Sequence, residues 1–278
     1  MPKNQPAPFG TYPPPKLTTF YKLLTQLRLS RGAINRKISK HCKSQICDGQ
    51  LVDIEKYGLK FRLSILNNAT DSKILTSSKV YEAAELNFLS QALSRQGNDP
   101  VFIDIGANTG YYSLMLAKRG FQKILAVEPN PQTVALLEDN IRINESESII
   151  IPVPSAIGEG ETVQLFVTDS LGSATLVSNF SEEHQEATAI NVQTMSIHEL
   201  LKREKLEKID ALKIDVEGYE DRALVPFFQN TPKKAWPKFL VLEHSHREFW
   251  ETDLIDFLKN RGYNVHSQVG GNTLLNKS

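Results

Sequence analysis

The chain has 278 residues, 40% of them hydrophobic, which is enough for one large α/β core with an appendage. Its 32 lysines and arginines balance 32 aspartates and glutamates, so no overall field favours nucleic acid, and a small molecule is the expected partner. No apolar run approaches the ~20 residues of a membrane span and the start lacks a secretory pattern, so we expect a cytoplasmic protein.

The N-terminal region divides into a tail and a helix. Residues 1–16 hold six of the 14 prolines, a composition that predicts a flexible tail. Residues 17–43 then place apolar side chains on one side and basic ones on the others, which predicts an amphipathic, basic helix. Such helices commonly pack on their own domain or on a twin subunit, so a homodimer through this helix is one expected arrangement.

A β-hairpin follows this helix. Residues 50–66 alternate apolar and polar side chains around Tyr57 and Gly58, which predicts two strands and a tight turn. We therefore assign residues 17–79 to an N-terminal helix and hairpin extension. The main domain is assigned to residues 80–278, and it opens with a helix in VYEAAELNFLSQAL.

The segment from Val101 to Asn130 reads VFIDIGANTGYYSLMLAKRGFQKILAVEPN and predicts a strand, a glycine turn, a helix and a second strand. Gly106 and Gly110 allow the backbone to pass close to a bound molecule. Glu128 closes the second strand, where a carboxylate can accept hydrogen bonds from two ribose hydroxyls. This order of elements predicts a pocket for an adenosine-containing cofactor.

The spacing of the turn indicates which cofactor. Asn108 and Tyr111 stand where the dinucleotide fingerprint requires glycine, so a diphosphate would meet side chains there. S-adenosylmethionine has no phosphate and presents an ammonium and a carboxylate. Asp104, Gly106 and Asn108 offer the mixed donors and acceptors that these groups need, so S-adenosylmethionine is the expected cofactor.

Helices and strands alternate over the rest of the chain. In chain order the predicted elements are helix PQTVALLEDNIRIN, strand IIIPVPSAIG, strands VQLFVTDSLGSATLV and ATAINVQTM around a Gly-Ser turn, helix SIHELLKREKL with a serine cap, strands IDALKIDVEGYE and FLVLEHSH, a helix through Trp250 and Leu258, and strands YNVHS and NTLLN. This alternation predicts a doubly wound α/β sheet whose strand ends line one crevice.

With these segments in view, the chain resembles the FkbM family of S-adenosylmethionine-dependent methyltransferases over roughly residues 55–278. The motifs that carry the resemblance are YEAAELNFL, VFIDIGANTGYYSL, AVEPNP and LKIDVEGYE, with PSAIG and VLEH as weaker support. It implies a Rossmann-like class I methyltransferase fold. Family members mostly methylate hydroxyl groups, often on sugars or secondary metabolites, so we expect a small-molecule or glycan acceptor.

The resemblance also implies roles for individual residues. Ser155 and Ala156 would lie against the adenine, Glu128 would hold the ribose, and Asp215 would face the transferred methyl group. The residues implied to line the methionine moiety are Asp104, Gly106, Ala107, Asn108 and Gly110.

Methyl transfer to a hydroxyl requires an aligned acceptor and a base for its proton. The predicted catalytic residues are Asp215, Glu243 and His244, although strand alternation puts Glu243 and His244 on opposite faces and either could meet the crevice. Asp215 and Glu217 share a face, so their charges should raise at least one pKa. Alternatively, Glu217 caps the following helix.

Lys213 shares the face of Asp215 and is expected to pair with a carboxylate. No metal ion is assigned to the site. The alternative functions are a nicotinamide-dependent oxidoreductase, which shares the strand, glycine turn and acidic residue, and a non-catalytic scaffold that keeps the cofactor fold.

Overall fold

The computed structural model describes residues 7–14, 44, 46–47, 49–77, 79–94, 100–167, 176 and 188–277. The predicted basic helix over residues 17–43 lies outside the described residues, and so does any homodimer contact through it. Across the described ranges, no helix combines the length and apolar character that crossing a membrane requires.

The described elements follow the predicted alternation. The strands are β1 (Val52–Lys56), β2 (Leu59–Leu63), β3 (Val101–Ile105), β4 (Lys123–Val127), β5 (Ile150–Val153), β6 (Ala156–Ile157), β7 (Thr162–Val167), β8 (Thr188–Met195), β9 (Ala211–Ile214), β10 (Phe239–Glu243), β11 (Tyr263–Val269) and β12 (Asn272–Lys277). The α-helices are α1 (Ala69–Thr76), α2 (Ala83–Leu89), α3 (Tyr111–Arg119), α4 (Pro131–Ile143), α5 (Ile197–Arg203), α6 (Glu220–Asn230) and α7 (Leu254–Lys259).

A seven-stranded sheet in the order β5-β4-β3-β9-β10-β12-β11 forms the centre of the fold. Strands β5, β4, β3, β9 and β10 are parallel, and β12 runs antiparallel to both of its neighbours. The strand order reverses between β3 and β9, which is the point where open α/β sheets bind their ligands. The predicted doubly wound sheet is confirmed.

Helices cover both faces of the sheet, and for this reason β3, β9 and β10 are buried along their whole length. One core contains apolar side chains of α2, α3 and α4 together with the hairpin strands β1 and β2. The other contains those of α5, α6 and α7. The hairpin therefore shares a core with the main sheet.

The predicted hairpin is confirmed, with its turn at Tyr57 and Gly58. Both residues have positive φ, 55° and 69°, as a two-residue type I′ turn requires. The hairpin packs on α4 through Asn140, whose Oδ1 accepts from the backbone N–H of Arg62 at 2.6 Å and whose Nδ2 donates to its carbonyl at 3.1 Å. The hairpin is therefore held by hydrogen bonds as well as by apolar contact.

Part of the proline-rich segment docks on the hairpin. The buried Arg62 guanidinium pairs with Asp53 at 2.9 Å and donates to the carbonyl oxygens of Ala7 and Pro8 at 2.9 and 3.0 Å. Asp53 in turn accepts from the backbone N–H of Gly10 at 2.8 Å. The predicted flexible tail is therefore hydrogen-bonded to the domain over these residues, because the buried ion pair satisfies their backbone groups.

Two predictions beyond the sheet have different outcomes. The serine cap is confirmed, since Ser196 forms a capping box with Glu199 at the start of α5. The helix predicted through Trp250 is wrong at its start. Trp250 follows a 3₁₀ turn, Arg247–Phe249, and α7 begins only at Leu254 because Asp253 accepts hydrogen bonds from the first backbone N–H groups.

A small three-stranded sheet in the order β6-β8-β7 stands beside the main sheet. Strand β6 follows β5 directly, and β7 pairs antiparallel with β8 as the sequence predicts. The predicted Gly-Ser turn between β7 and β8 lies outside the described residues. This small sheet brings Leu165 to the edge of the central crevice.

Candidate active site

A cavity of about 330 Å³ opens at the carboxyl ends of β3, β4, β9 and β10, where the strand order reverses. Three of the predicted site residues, Asp104, Gly110 and His244, lie outside its lining. The predicted residues that line it are Gly106, Ala107, Asn108, Glu128, Ser155, Ala156, Asp215 and Glu243. One cavity therefore joins most of the predicted cofactor residues to two of the predicted catalytic ones.

The glycine turn after β3 is shaped by close backbone packing. Gly106 has φ +75°, and an added Cβ would lie 1.8 Å from the carbonyl oxygen of Asp215. Its N–H donates to the carbonyl of Val127 at 3.0 Å, which fixes the turn against β4. Asn108 also has positive φ, 52°, and its N–H points to Glu128. The turn thus joins the ends of three neighbouring strands.

Glu128 lies buried at the end of β4 and faces the cavity. One carboxylate oxygen accepts from the N–H of Asn108 at 2.9 Å and the other accepts from the N–H of Asn130 at 3.0 Å. Burial raises the pKa of Glu128 to about 7, although these two hydrogen bonds act in the opposite direction. The carboxylate is therefore held in one orientation at the cavity wall.

Asp104 and Gly110, which are predicted to line the methionine moiety, lie behind the turn and outside the cavity lining. Asp104 is fully buried, and one of its oxygens accepts from the N–H and the hydroxyl of Ser113 at 3.1 and 2.7 Å. Burial raises its pKa to about 6. Gly110 precedes α3 with φ +91°, and an added Cβ would meet Leu137 at 2.7 Å. Both residues therefore act in packing the turn.

Ser155 and Ala156 line the cavity as predicted. The Ser155 hydroxyl lies 3.0 Å from the carbonyl oxygens of Ala156 and Gln193, so it anchors the end of β5 to β8. Ile157 and Leu165 continue this wall, which is more apolar than the opposite one. A flat aromatic group is the ligand that such a wall suits.

The opposite end of the cavity is acidic. Asp215, Glu217 and Glu243 all line it, and the predicted pairing of Lys213 is confirmed by the 3.2 Å between its Nζ and Asp215 Oδ2. Burial alone would lower the pKa of Lys213, but the charges of Asp215 and Asp104 raise it above its ordinary value. Lys213 is therefore a buried cation beneath this cluster.

Glu217 faces the cavity and does not cap the helix. Burial, followed by the charges of Asp215 and Glu243, raises its pKa to about 8, which confirms the expected repulsion. The alternative role of Glu217 as a cap of α6 is wrong. Glu217 adopts φ 53° and turns its side chain toward His246, and the Nε2 of His246 lies 3.0 Å from the Oε2 of Glu217. Glu220 instead accepts from the backbone N–H groups of Val216 and Gly218.

The predicted catalytic His244 does not reach the cavity. Its Nδ1 lies 2.9 Å from the hydroxyl of Thr273 on β12, and burial lowers its pKa. Glu243, one residue earlier on β10, faces the cavity, and its pKa is raised by burial and by the charge of Asp215. Ser245 and His246, which follow His244, also line the cavity. Of the two adjacent residues Glu243 and His244, Glu243 therefore lines the cavity and His244 does not.

One wall of the cavity comes from residues that the sequence reasoning missed. Ala69, Thr70 and Lys73 on α1, and Tyr81 and Glu82 just before α2, all line it. The signal that could have found two of them was the motif YEAAELNFL, which contains Tyr81 and Glu82. The helix α1 carried no such signal, because it lies within the segment assigned to the extension.

No metal site emerges from this acidic cluster. Within the residues that the structure describes, no three histidine, cysteine, aspartate or glutamate side chains are arranged to hold a metal ion. The pairing of Lys213 with Asp215 places a cation among the carboxylates.

The strand order and the glycine turn with its facing acid define a class I methyltransferase. The family model of the methyltransferase FkbM domain matches residues 104–265, which is more than half of the chain. The chain therefore belongs to the FkbM methyltransferase family. Its expected cofactor, S-adenosylmethionine, is the one that this family uses, and the nicotinamide alternative is not favoured.

Curated relatives are also methyltransferases. The chain is 28% identical over 151 residues to methyltransferase sdnD of Sordaria araneosa, a match that covers 44% of the chain and 58% of that protein. It is 23% identical over 136 residues to hexuronic acid methyltransferase AglP of Haloferax volcanii, covering 49% of the chain and 53% of that protein. The chain thus spans little more than half the length of these two relatives.

Solved structures with a similar chain path include other methyltransferases. Precorrin-6y C5,15-methyltransferase from Geobacter metallireducens has a TM-score of 0.42 at 16% identity, covering 72% of this chain and 90% of that chain. The methyltransferase domain of METTL16 has a TM-score of 0.45 at 12% identity, covering 69% of this chain and 65% of that chain.

Proposed function

We propose that this protein transfers the methyl group of S-adenosylmethionine to a hydroxyl group of a sugar or a secondary metabolite. The observation that carries this proposal is the single cavity at the switch point of the sheet. It joins the glycine turn and Glu128 at one side to the carboxylates of Asp215, Glu217 and Glu243 at the other. A cofactor site and an acceptor site are thereby adjacent.

The chemistry of the lining supports the cofactor assignment. Each Glu128 oxygen accepts one backbone N–H and keeps a second acceptor position, so the carboxylate can also accept from ribose hydroxyls. The apolar wall that begins at Ser155 and Ala156 suits an adenine ring. A volume of about 330 Å³ lies within the range of small-molecule sites, roughly 300 to 1,000 Å³.

The bound cofactor would supply an electrophilic methyl group on a sulfonium. The protein's task is then to align the acceptor oxygen and to take its proton. Asp215 is half-exposed to the cavity and Lys213 fixes its orientation. The pKa of Glu217, raised to about 8, lies near the working pH where a general base is most effective. We assign the hydroxyl proton to one of these two carboxylates.

One relative supports a sugar acceptor. The name of AglP specifies a hexuronic acid, and its match covers 49% of this chain. By contrast, the ribosomal protein L11 methyltransferase of Herpetosiphon aurantiacus matches only 22% of it. The putative protein N5-glutamine methyltransferase MJ0928 of Methanocaldococcus jannaschii matches 26%. Of these three relatives, AglP matches the largest share of the chain, so we take its name as the guide to the acceptor.

Two measurements test the proposal together. Isothermal titration calorimetry with S-adenosylhomocysteine should give one site per chain. Mass spectrometry of metabolites and glycans, from cells with and without the gene, should reveal a product heavier by one CH₂ group on a hydroxyl oxygen. A double variant, Asp215→Asn with Glu217→Gln, should retain the binding and lose the product. No binding, or a methyl group on nitrogen or carbon, would contradict the proposal.

A further inference from the structure

A wall of the cavity comes from Ala69, Thr70, Lys73, Tyr81 and Glu82, which precede the matched family region at 104–265. This wall is tied to the glycine turn by side-chain hydrogen bonds. Asn68 Nδ2 donates to Asn108 Oδ1 at 2.5 Å, and the Thr109 hydroxyl donates to Asp71 at 2.6 Å. The position of the wall relative to the turn is therefore fixed by buried polar contacts.

Glu82 is the acidic group of this wall. It adopts φ 48°, a left-handed conformation that is costly for a residue with a side chain, so its orientation is imposed by its surroundings. The Tyr112 hydroxyl donates to Glu82 at 2.7 Å, and the adjacent carbonyl of Tyr81 accepts from Tyr111 at 2.6 Å. These two tyrosines of α3 hold the carboxylate at the cavity surface.

Lys73 is the basic group of the same wall. Its Nζ lies 3.1 Å from the Tyr81 hydroxyl and 5.3 Å from the centre of that ring. The lysine is exposed and lines the cavity from α1, while Glu82 lines it from the start of α2. Lys213, the other lysine of the lining, is buried and paired with Asp215. An anionic ligand group would therefore meet Lys73 first.

We propose that Glu82 and Lys73 bind the amino-acid end of the cofactor, Glu82 accepting from its ammonium and Lys73 pairing with its carboxylate. This inference rests on the proposed function, because it requires the adenosine to lie on Glu128. A zwitterion needs one acceptor and one cation, and this wall supplies both: Glu82, and Lys73, whose Nζ lies 3.1 Å from the hydroxyl of the adjacent Tyr81. The segment before the matched region thus completes the cofactor site.

The test compares two ligands by calorimetry. S-adenosylhomocysteine carries the ammonium and the carboxylate, whereas 5′-methylthioadenosine keeps the adenosine and lacks both. Glu82→Gln and Lys73→Met should each weaken S-adenosylhomocysteine by about tenfold, the value of one charge-assisted hydrogen bond. Both variants should bind 5′-methylthioadenosine as the wild type does, which also shows that the site is folded.

Two variants outside the cavity serve as controls. Lys79→Met and Glu138→Gln remove the same charges from exposed positions and should leave both affinities unchanged. Equal effects of Glu82→Gln on the two ligands, or an effect on neither, would overturn the inference while the proposed function stands. If the wild type bound neither ligand, the inference and the proposed function would both be overturned.

Discussion

Replacing Gly106 with alanine should destabilise the protein because it separates the ends of β3 and β9. The new Cβ would lie 1.8 Å from the carbonyl oxygen of Asp215, whereas real Cβ atoms essentially never approach within 3.0 Å. The atom it meets is backbone and cannot rotate away, so the strand ends must part by about 1 Å, an overpacking that costs about 1–3 kcal/mol. The positive φ adds roughly 1–2 kcal/mol.

We therefore expect Gly106→Ala to lower the free energy of unfolding by about 2–5 kcal/mol, measured by urea denaturation. Gly262→Ala is the matched control, since Gly262 has φ +89° and an added Cβ there would meet nothing within 4 Å. Gly262→Ala should lower the free energy of unfolding only by the cost of the positive φ, roughly 1–2 kcal/mol. Equal losses in the two variants would refute the proposed clash between the turn and Asp215.

Three other predictions concern the buried polar groups around the turn. Glu128→Gln should weaken S-adenosylhomocysteine by about tenfold in calorimetry, because two backbone N–H groups and the ribose lose a charged acceptor; unchanged affinity would exclude Glu128 from the site. Asn140→Ala should cost about 3 kcal/mol in urea denaturation, since buried backbone groups of Arg62 and Thr109 lose their partner; a loss below about 1 kcal/mol would contradict this. The pKa of Asp104 is raised from 3.8 to about 6 in the folded protein. Between these two pH values the native state retains a proton that the unfolded chain has released, so the free energy of unfolding falls as the pH rises. Asp104→Asn should reduce that fall, and an unaltered pH profile would show that Asp104 does not cause it.

Much of the fold could be predicted because its signals are local. The hairpin turn at Tyr57 and Gly58 is specified by two adjacent residues, and the serine cap at Ser196 by one residue three positions before Glu199. The turn after β3 was likewise visible in the spacing of its glycines. These features need no knowledge of distant parts of the chain.

The site could be predicted only in part because its remaining features depend on tertiary contacts. Strand β10 is buried on both faces, so its sequence has no alternation to indicate whether Glu243 or His244 meets the cavity. Glu217 has a left-handed φ of 53° beside Gly218, where an added Cβ would lie 2.9 Å from Phe249, a residue distant in the sequence. Lys73 resembles any exposed lysine of a helix, and only the docking of α1 on the glycine turn places it at the cavity.

We expect an adenosine cofactor to lie across the carboxyl ends of the parallel strands with its ribose on Glu128. A crystal structure of the complex with S-adenosylhomocysteine tests this most directly. The ribose hydroxyl oxygens should lie within hydrogen-bond distance of the Glu128 carboxylate, roughly 2.5–3.0 Å, and the sulfur should be directed toward Asp215. A ligand bound outside this cavity, or a ribose without contact to Glu128, would contradict it.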